Sequence, residues 1–152
     1  DAFLDDEAPG FLLRLWTGRL AQPGPRARTI LAELDQAADG SRLVGIAHTV
    51  LDDSPAWGAL LDNLHVVSGR KRQGVGTRLM SLTARAVQAE RPGSGLYLWV
   101  LEQNVSARAF YAARGGTCVE TRPVLAPEGQ AARLNGRPRC MRYAWPDPSK
   151  LA

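Results

Sequence analysis

Leu64-His65-Val66-Val67-Ser68-Gly69-Arg70-Lys71-Arg72-Gln73-Gly74-Val75-Gly76-Thr77 joins an apolar strand, a basic glycine-containing loop and the first turn of a helix. Downstream, Val75, Leu79, Leu82, Ala86 and Ala89 recur at steps of three or four residues, which predicts one face of a helix running to about Glu90, where Pro92-Gly93 stops it. Upstream, Gly58 to Val67 reads as a strand in which Leu60, Asp62, Leu64 and Val66 alternate against Leu61, Asn63, His65 and Val67. The three parts make an anion cradle: the first helical N–H groups lack intrahelical acceptors, glycine lets backbone approach a phosphate, and Arg70, Lys71 and Arg72 add positive charge. Two glycines before a helix also occur as a plain tight turn. A dinucleotide fingerprint needs a small residue where Leu79 stands, and a nucleotide P-loop needs Gly-Lys-Ser/Thr, so both are disfavoured.

On either side of this unit the pattern is mixed α/β. Phe11, Leu12, Leu15 and Trp16 stand at helical spacing, and Pro9-Gly10 separates them from Ala2-Phe3-Leu4, which predicts two short helices within Asp1 to Leu20. Thr29 to Leu34 and Arg42 to Leu51 read as an antiparallel hairpin joined through Asp39-Gly40. Leu96 to Leu101 is apolar on both alternating faces, as in a central strand covered on both sides. Asn104 is placed to cap a second helix by accepting from the backbone N–H of Ser106 or Ala107, and Gly115-Gly116 ends it. Thr117 to Val124 and Arg139 to Trp145 complete the strands, linked by a loop holding Pro127, Gly129 and Gly136.

At 152 residues, 45% of them hydrophobic, the chain is expected to form a single domain over 1–152. Its longest apolar runs fall well short of the roughly 20 residues that cross a bilayer, and no secretory signal is visible near Asp1, so no membrane partner is expected. Cys118 and Cys140 match neither a metal knuckle nor a redox pair, and with His48 and His65 they do not make a zinc site, so free thiols, no metal and a cytoplasmic setting are expected. The net charge of +4 raises nucleic-acid binding as an alternative, but outside Arg70-Lys71-Arg72 the basic residues are scattered, which favours a local anion site. A homodimer is left open.

The loop resembles the pyrophosphate motif of the GCN5-related N-acetyltransferase (GNAT) superfamily, R/Q-x-x-G-x-G/A. Lys71 stands at the first position in place of Arg or Gln, and Gly74 and Gly76 stand at the glycines. A second stretch, from Leu98-Trp99-Val100-Leu101 through Asn104, Ala107 and Phe110-Tyr111 to Gly115-Gly116, resembles the family's following strand and helix. The likeness runs from about Ile30 to Tyr143. It implies a mixed, mostly antiparallel twisted sheet with helices on both faces and a splayed central strand pair that receives acetyl-CoA. The family's first strand has no clear counterpart, so residues before Asp1 are expected.

The resemblance further implies that backbone N–H groups of Gln73, Gly74, Val75, Gly76 and Thr77, with Lys71 and Arg72, hold the pyrophosphate. Main chain at Val66 and Val67 would meet the pantetheine, and Asn104, Ala107, Phe110 and Tyr111 would complete the site. Tyr111 is the implied acid for the departing thiolate, although a tyrosine beside Phe110 also reads as core packing. His65 is the candidate base, because imidazoles titrate near neutrality; filling a place where relatives carry tyrosine is the competing reading. His48 shares a face with Val44, Ile46 and Val50 and reads as a core histidine. Trp99 occupies the place of the catalytic glutamate of ribosomal-protein alanine acetyltransferases, which favours a small-molecule amine acceptor. A protein or peptide amine and a catalytically silent acyl-CoA-binding module are the alternatives.

Overall fold

A computed structural model describes residues 24–34, 43–124 and 137–151, together with Gly18 and Ala21. Its strands are β1 (Ala27–Glu33), β2 (Leu43–Ser54), β3 (Gly58–Val66), β4 (Leu96–Leu101), β5 (Thr117–Pro123) and β6 (Arg139–Trp145). Helix α1 (Val75–Glu90) connects β3 to β4, and α2 (Val105–Ala113) connects β4 to β5. They form one six-stranded sheet in the order β1-β2-β3-β4-β6-β5, parallel between β3 and β4 and antiparallel elsewhere. The expected helices before Leu20, the Asp39-Gly40 turn and the loop with Pro127, Gly129 and Gly136 lie almost wholly outside the described residues.

Both described helices pack on one sheet face. Register places Ala47 and Leu51 of β2, Ala59 and Leu61 of β3, Leu96, Leu98 and Val100 of β4, and Tyr143 and Trp145 of β6 on that face, where they join Leu79, Met80 and Val87 of α1 and Tyr111 of α2 in one buried cluster. Each large aliphatic side chain so buried contributes about 1.5–3 kcal/mol, an upper bound because the unfolded chain already hides some surface. No helix among the described residues is long and apolar enough to cross a membrane.

Two sequence readings need correction. The inward stripe of α1 is Leu79, Met80, Thr83, Ala84 and Val87; Leu82 and Ala86 are half-buried and Ala89 is exposed. Alanine offers so little apolar area that a helix rich in it can turn either of two faces inward. In β3, a bulge interrupts the simple alternation: His48 pairs with Asn63 but Thr49 pairs with Leu61, leaving Asp62 without a place in the register. Leu61, Leu64 and Val66 therefore share the helix face, whereas Leu60, Asn63 and His65 look out from the opposite, outer face.

Candidate active site

The registered pairing of β3 with β4 consists of Ala59 with Leu96 and Leu60 with Tyr97, after which the strands part. Which backbone groups line the gap follows from the neighbouring ladders. The Val67 N–H donates to the Val44 carbonyl at 3.0 Å, so Val67 and His65 address β2, and Val66 and Leu64 turn their N–H and C=O groups toward β4. On β4 the Gly95 carbonyl accepts from the Ala59 N–H at 3.0 Å; by the same alternation Trp99 and Leu101 face β3 across the gap. A polar strand edge is thus presented where the parallel ladder stops. Of the two positions expected to meet a ligand through main chain, Val66 turns its polar groups to the gap, whereas the Val67 N–H is engaged with Val44 and its carbonyl accepts from the Arg70 N–H at 2.9 Å.

The glycine loop ends beside this gap. Ser68–Arg70 forms one 3₁₀ turn, and the Gln73 side-chain amide braces the loop by donating to the Gly69 carbonyl at 3.2 Å. Gly74 is the N-cap of α1 with φ of 84°, a left-handed conformation that L side chains adopt at a cost, and no side chain caps the helix there. Its carbonyl accepts from Arg78 N–H at 2.9 Å, while the N–H groups of Gly74, Val75, Gly76 and Thr77 precede the first intrahelical bond and are open to an anion. Lys71 and Arg72 are exposed and have no ion-pair partner among the described residues. A Cβ on Gly76 would stand 3.4 Å from the Phe110 ring and 3.8 Å from Val66, so helix start, α2 and the end of β3 converge at one point. Backbone donors, loose cations and a strand edge fit the pyrophosphate and amide-bearing arm of a CoA thioester.

Helix α2 supplies the wall across from α1. Asn104 caps it, accepting from the Ala107 N–H at 3.1 Å, and Phe110 is half-buried. Tyr111 is 9% exposed, with its ring centroid 5.5 Å from Phe110, 6.1 Å from Tyr143 and 6.2 Å from Trp145. Burial raises the Tyr111 hydroxyl above the ordinary tyrosine range. Tyr111 is thus a core aromatic whose hydroxyl stays protonated.

His65 is exposed on the outer face, two residues from Asn63, whose buried Oδ1 has no hydrogen-bond partner among the described residues. His48 is 3% exposed and its Nδ1 lies 2.8 Å from Thr29 Oγ1, in keeping with a satisfied core histidine. Tyr111 belongs to the helix-face core, so the chain's two candidate proton carriers stand on opposite sides of the sheet.

Sequence reasoning missed a cluster on the outer face. The Arg142 guanidinium carbon is 4.5 Å from the Trp99 ring centroid, 5.0 Å from Trp57 and 5.3 Å from Tyr97, and Arg122 lies 4.0 Å over Trp99. Arg142 also pairs with Glu120 at 3.0 Å, and the Tyr97 hydroxyl donates to Asp53. Burial and that carboxylate push Tyr97 up to about 12. Tyr97 and Trp99 are two apart on one strand, which was the available signal, but their arginines arrive from strands whose pairing the sequence does not spell out. A cavity of about 460 Å³ lined by Trp57, Gly95 and Trp145 lies at the other end of β4, and one of about 290 Å³ lies between Met80, Arg114 and Lys150.

Fold and site together are those of an N-acetyltransferase. The sequence matches the model of the acetyltransferase (GNAT) family over residues 3–115, and the chain belongs to that family. Solved structures agree on the fold. Nourseothricin acetyltransferase is 23% identical, with a TM-score of 0.66 over 84% of this chain and 69% of its own. The ribosomal-protein-S18-alanine N-acetyltransferase from Escherichia coli is 25% identical, with a TM-score of 0.61 over 87% and 76%. Arabidopsis thaliana NAA60, solved with acetyl-CoA, is 18% identical, with a TM-score of 0.64 over 90% and 93%. No curated protein sequence matches the chain significantly.

Proposed function

We propose that the chain moves the acetyl group of acetyl-CoA directly to a primary amine of a small molecule. The observation that carries this reading is the gap between β3 and β4, where the Val66 backbone edge is turned inward beside the glycine-headed N-terminus of α1. In the proposed complex the helix N-terminus with Lys71 and Arg72 holds the pyrophosphate, and the Val66 edge pairs with the pantetheine arm. The same edge directs its N–H at the thioester oxygen, where negative charge develops as the amine adds.

The amine nitrogen bonds to the acetyl carbon, the carbon–sulfur bond breaks, one amine proton leaves and sulfur gains one. An alkylamine of ordinary pKa is neutral about once in 2,500 molecules at pH 7, a deficit of roughly 4.6 kcal/mol, so an acceptor for its proton is required. His65 on the outer face is assigned that role. Tyr111 is assigned the proton for sulfur. From an ordinary tyrosine to an ordinary thiolate that transfer is uphill by about 2 kcal/mol; burial widens the gap, so the proton moves as the carbon–sulfur bond breaks and not before it.

Trp99 in place of a carboxylate on β4 supports a small-molecule acceptor over a protein N-terminus. Free Cys118 and Cys140 support a reducing compartment, the cytoplasm. The reading is tested by thermal melting and thiol release. Acetyl-CoA is expected to raise Tm while NADH and ATP do far less, and an amine panel is expected to release CoA thiol. Absence of a Tm shift at millimolar acetyl-CoA would overturn it; a shift without turnover on any amine would leave the silent binding module.

A further inference from the structure

The helix face of the gap is closed by α1, α2 and the core cluster, so a donor lying along Gly76, Phe110 and Val66 leaves the outer face as the approach for the acceptor. Trp99 is the wall of that approach: its backbone faces the gap and its side chain lies on the outer face, opposite in parity to buried Leu98 and Val100. Two guanidinium groups lie against its ring, and they differ in charge balance. Arg142, its side chain 14% exposed, is neutralised by Glu120 at 3.0 Å. Arg122 is exposed and has no carboxylate partner among the described residues. An attraction to a ring face uses the charge of a guanidinium and not its N–H donors, which keep the planar fork that fits a carboxylate. The Asp53 carboxylate is engaged by the Tyr97 hydroxyl and makes no ion pair with Arg122 among the described residues.

We propose that Arg122, held over the Trp99 ring, is a specificity residue that selects acceptors carrying a carboxylate alongside the amine. The proposal rests on the acetyltransferase reading above. Arg122 reaches over β6 to the Trp99 ring, and the Trp99 backbone borders the gap, so a single indole separates the fork from the strand edge that faces the thioester. A polycationic amine meets a like charge at the same place and is disfavoured.

The test uses acceptors that differ only in the anion: 5-aminovalerate, 5-aminovaleramide and pentylamine, and likewise phenylalanine, phenylalaninamide and phenethylamine, with acetyl-CoA and the full chain. In at least one set the carboxylate is expected to exceed its amide by about tenfold or more in kcat/KM. Arg122→Gln is expected to erase that preference and Arg122→Lys to keep part of it, with acetyl-CoA affinity within about twofold of the parent in both. Amides or plain amines used as well as the carboxylates, or a preference that survives in Arg122→Gln, would overturn the proposal. If acetyl-CoA binds but no member of either set is acetylated, the carboxylate assignment falls and the donor site stands. Failure of acetyl-CoA to bind removes the acetyltransferase reading itself.

Discussion

Burial lifts the Tyr111 hydroxyl above the ordinary phenol range, which keeps it protonated throughout the pH span of an assay. Tyr111→Phe preserves the ring among Phe110, Tyr143 and Trp145 and removes only the proton, so kcat is expected to fall about 100-fold while acetyl-CoA affinity changes little. As the raised pKa affects only the alkaline side, Tyr111 contributes no fall in parent activity between pH 7 and 9. An unchanged kcat with chemistry rate-limiting would retire Tyr111 as the acid. His65→Phe is expected to lower kcat/KM about tenfold or more without weakening acetyl-CoA binding; parent-like turnover would mean that the amine proton leaves through water. Tyr97 offers a separate check on stability. With the unfolded tyrosine near 10 and the folded one at about 12, both are largely protonated below about pH 9. Between 10 and 12 the unfolded chain releases its proton first, so stability falls as pH rises through that window. Tyr97→Phe should flatten this decline, read as the urea midpoint at pH 9 and pH 11; an equal slope would contradict the burial of the Tyr97 hydroxyl.

Helix α1 begins at two glycines that do different work. Gly74 has open space around a would-be Cβ but sits at φ of 84°, so Gly74→Ala strains backbone; about 1–2 kcal/mol is expected, a Tm drop of roughly 2–8 °C. A Cβ on Gly76 has ordinary contacts with Phe110 and Val66, so Gly76→Val is expected to fold normally yet lose about tenfold or more in acetyl-CoA affinity by filling the approach to the helix N-terminus. Melting curves and calorimetric titration separate the two, and parent-like affinity in Gly76→Val would move the pyrophosphate elsewhere. Elements of this kind were legible in the sequence because each is local: the extent of α1, the Asn104 cap and the apolar run of β4 are set by residues near one another. The bulge at Asp62 was not, since the alternation looks unbroken until pairing with β2 fixes which residue the register skips. Nor was the closure of the Val67 N–H on Val44, which depends on a residue of another strand far back in the chain. The Trp99 cluster escaped for the same reason, as Arg122 and Arg142 reach it only once β5 and β6 fold beside β4.

Across the whole molecule the far end of α1 is tied down and its near end is left open. Arg28 pairs with Glu90, and Arg91 with Asp52 at 2.7 Å, joining the helix C-terminus to β1 and to the end of β2. These side chains are partly exposed, so each pair is worth at most about 1 kcal/mol and serves mainly to orient the helix. Oriented in this way, the positive end of the helix dipole points toward the gap between β3 and β4, where no described side chain caps it. Acetyl-CoA is proposed to occupy this gap, with its phosphates at the helix start and its arm on the Val66 edge. Residue-resolved amide hydrogen exchange with and without saturating acetyl-CoA tests it most directly. Slowed exchange at Leu64, Val66 and Val75 to Thr77, with no change at Trp57 and Gly95 beside the 460 Å³ cavity, is the expected result; protection confined to that cavity, or none anywhere, would contradict it.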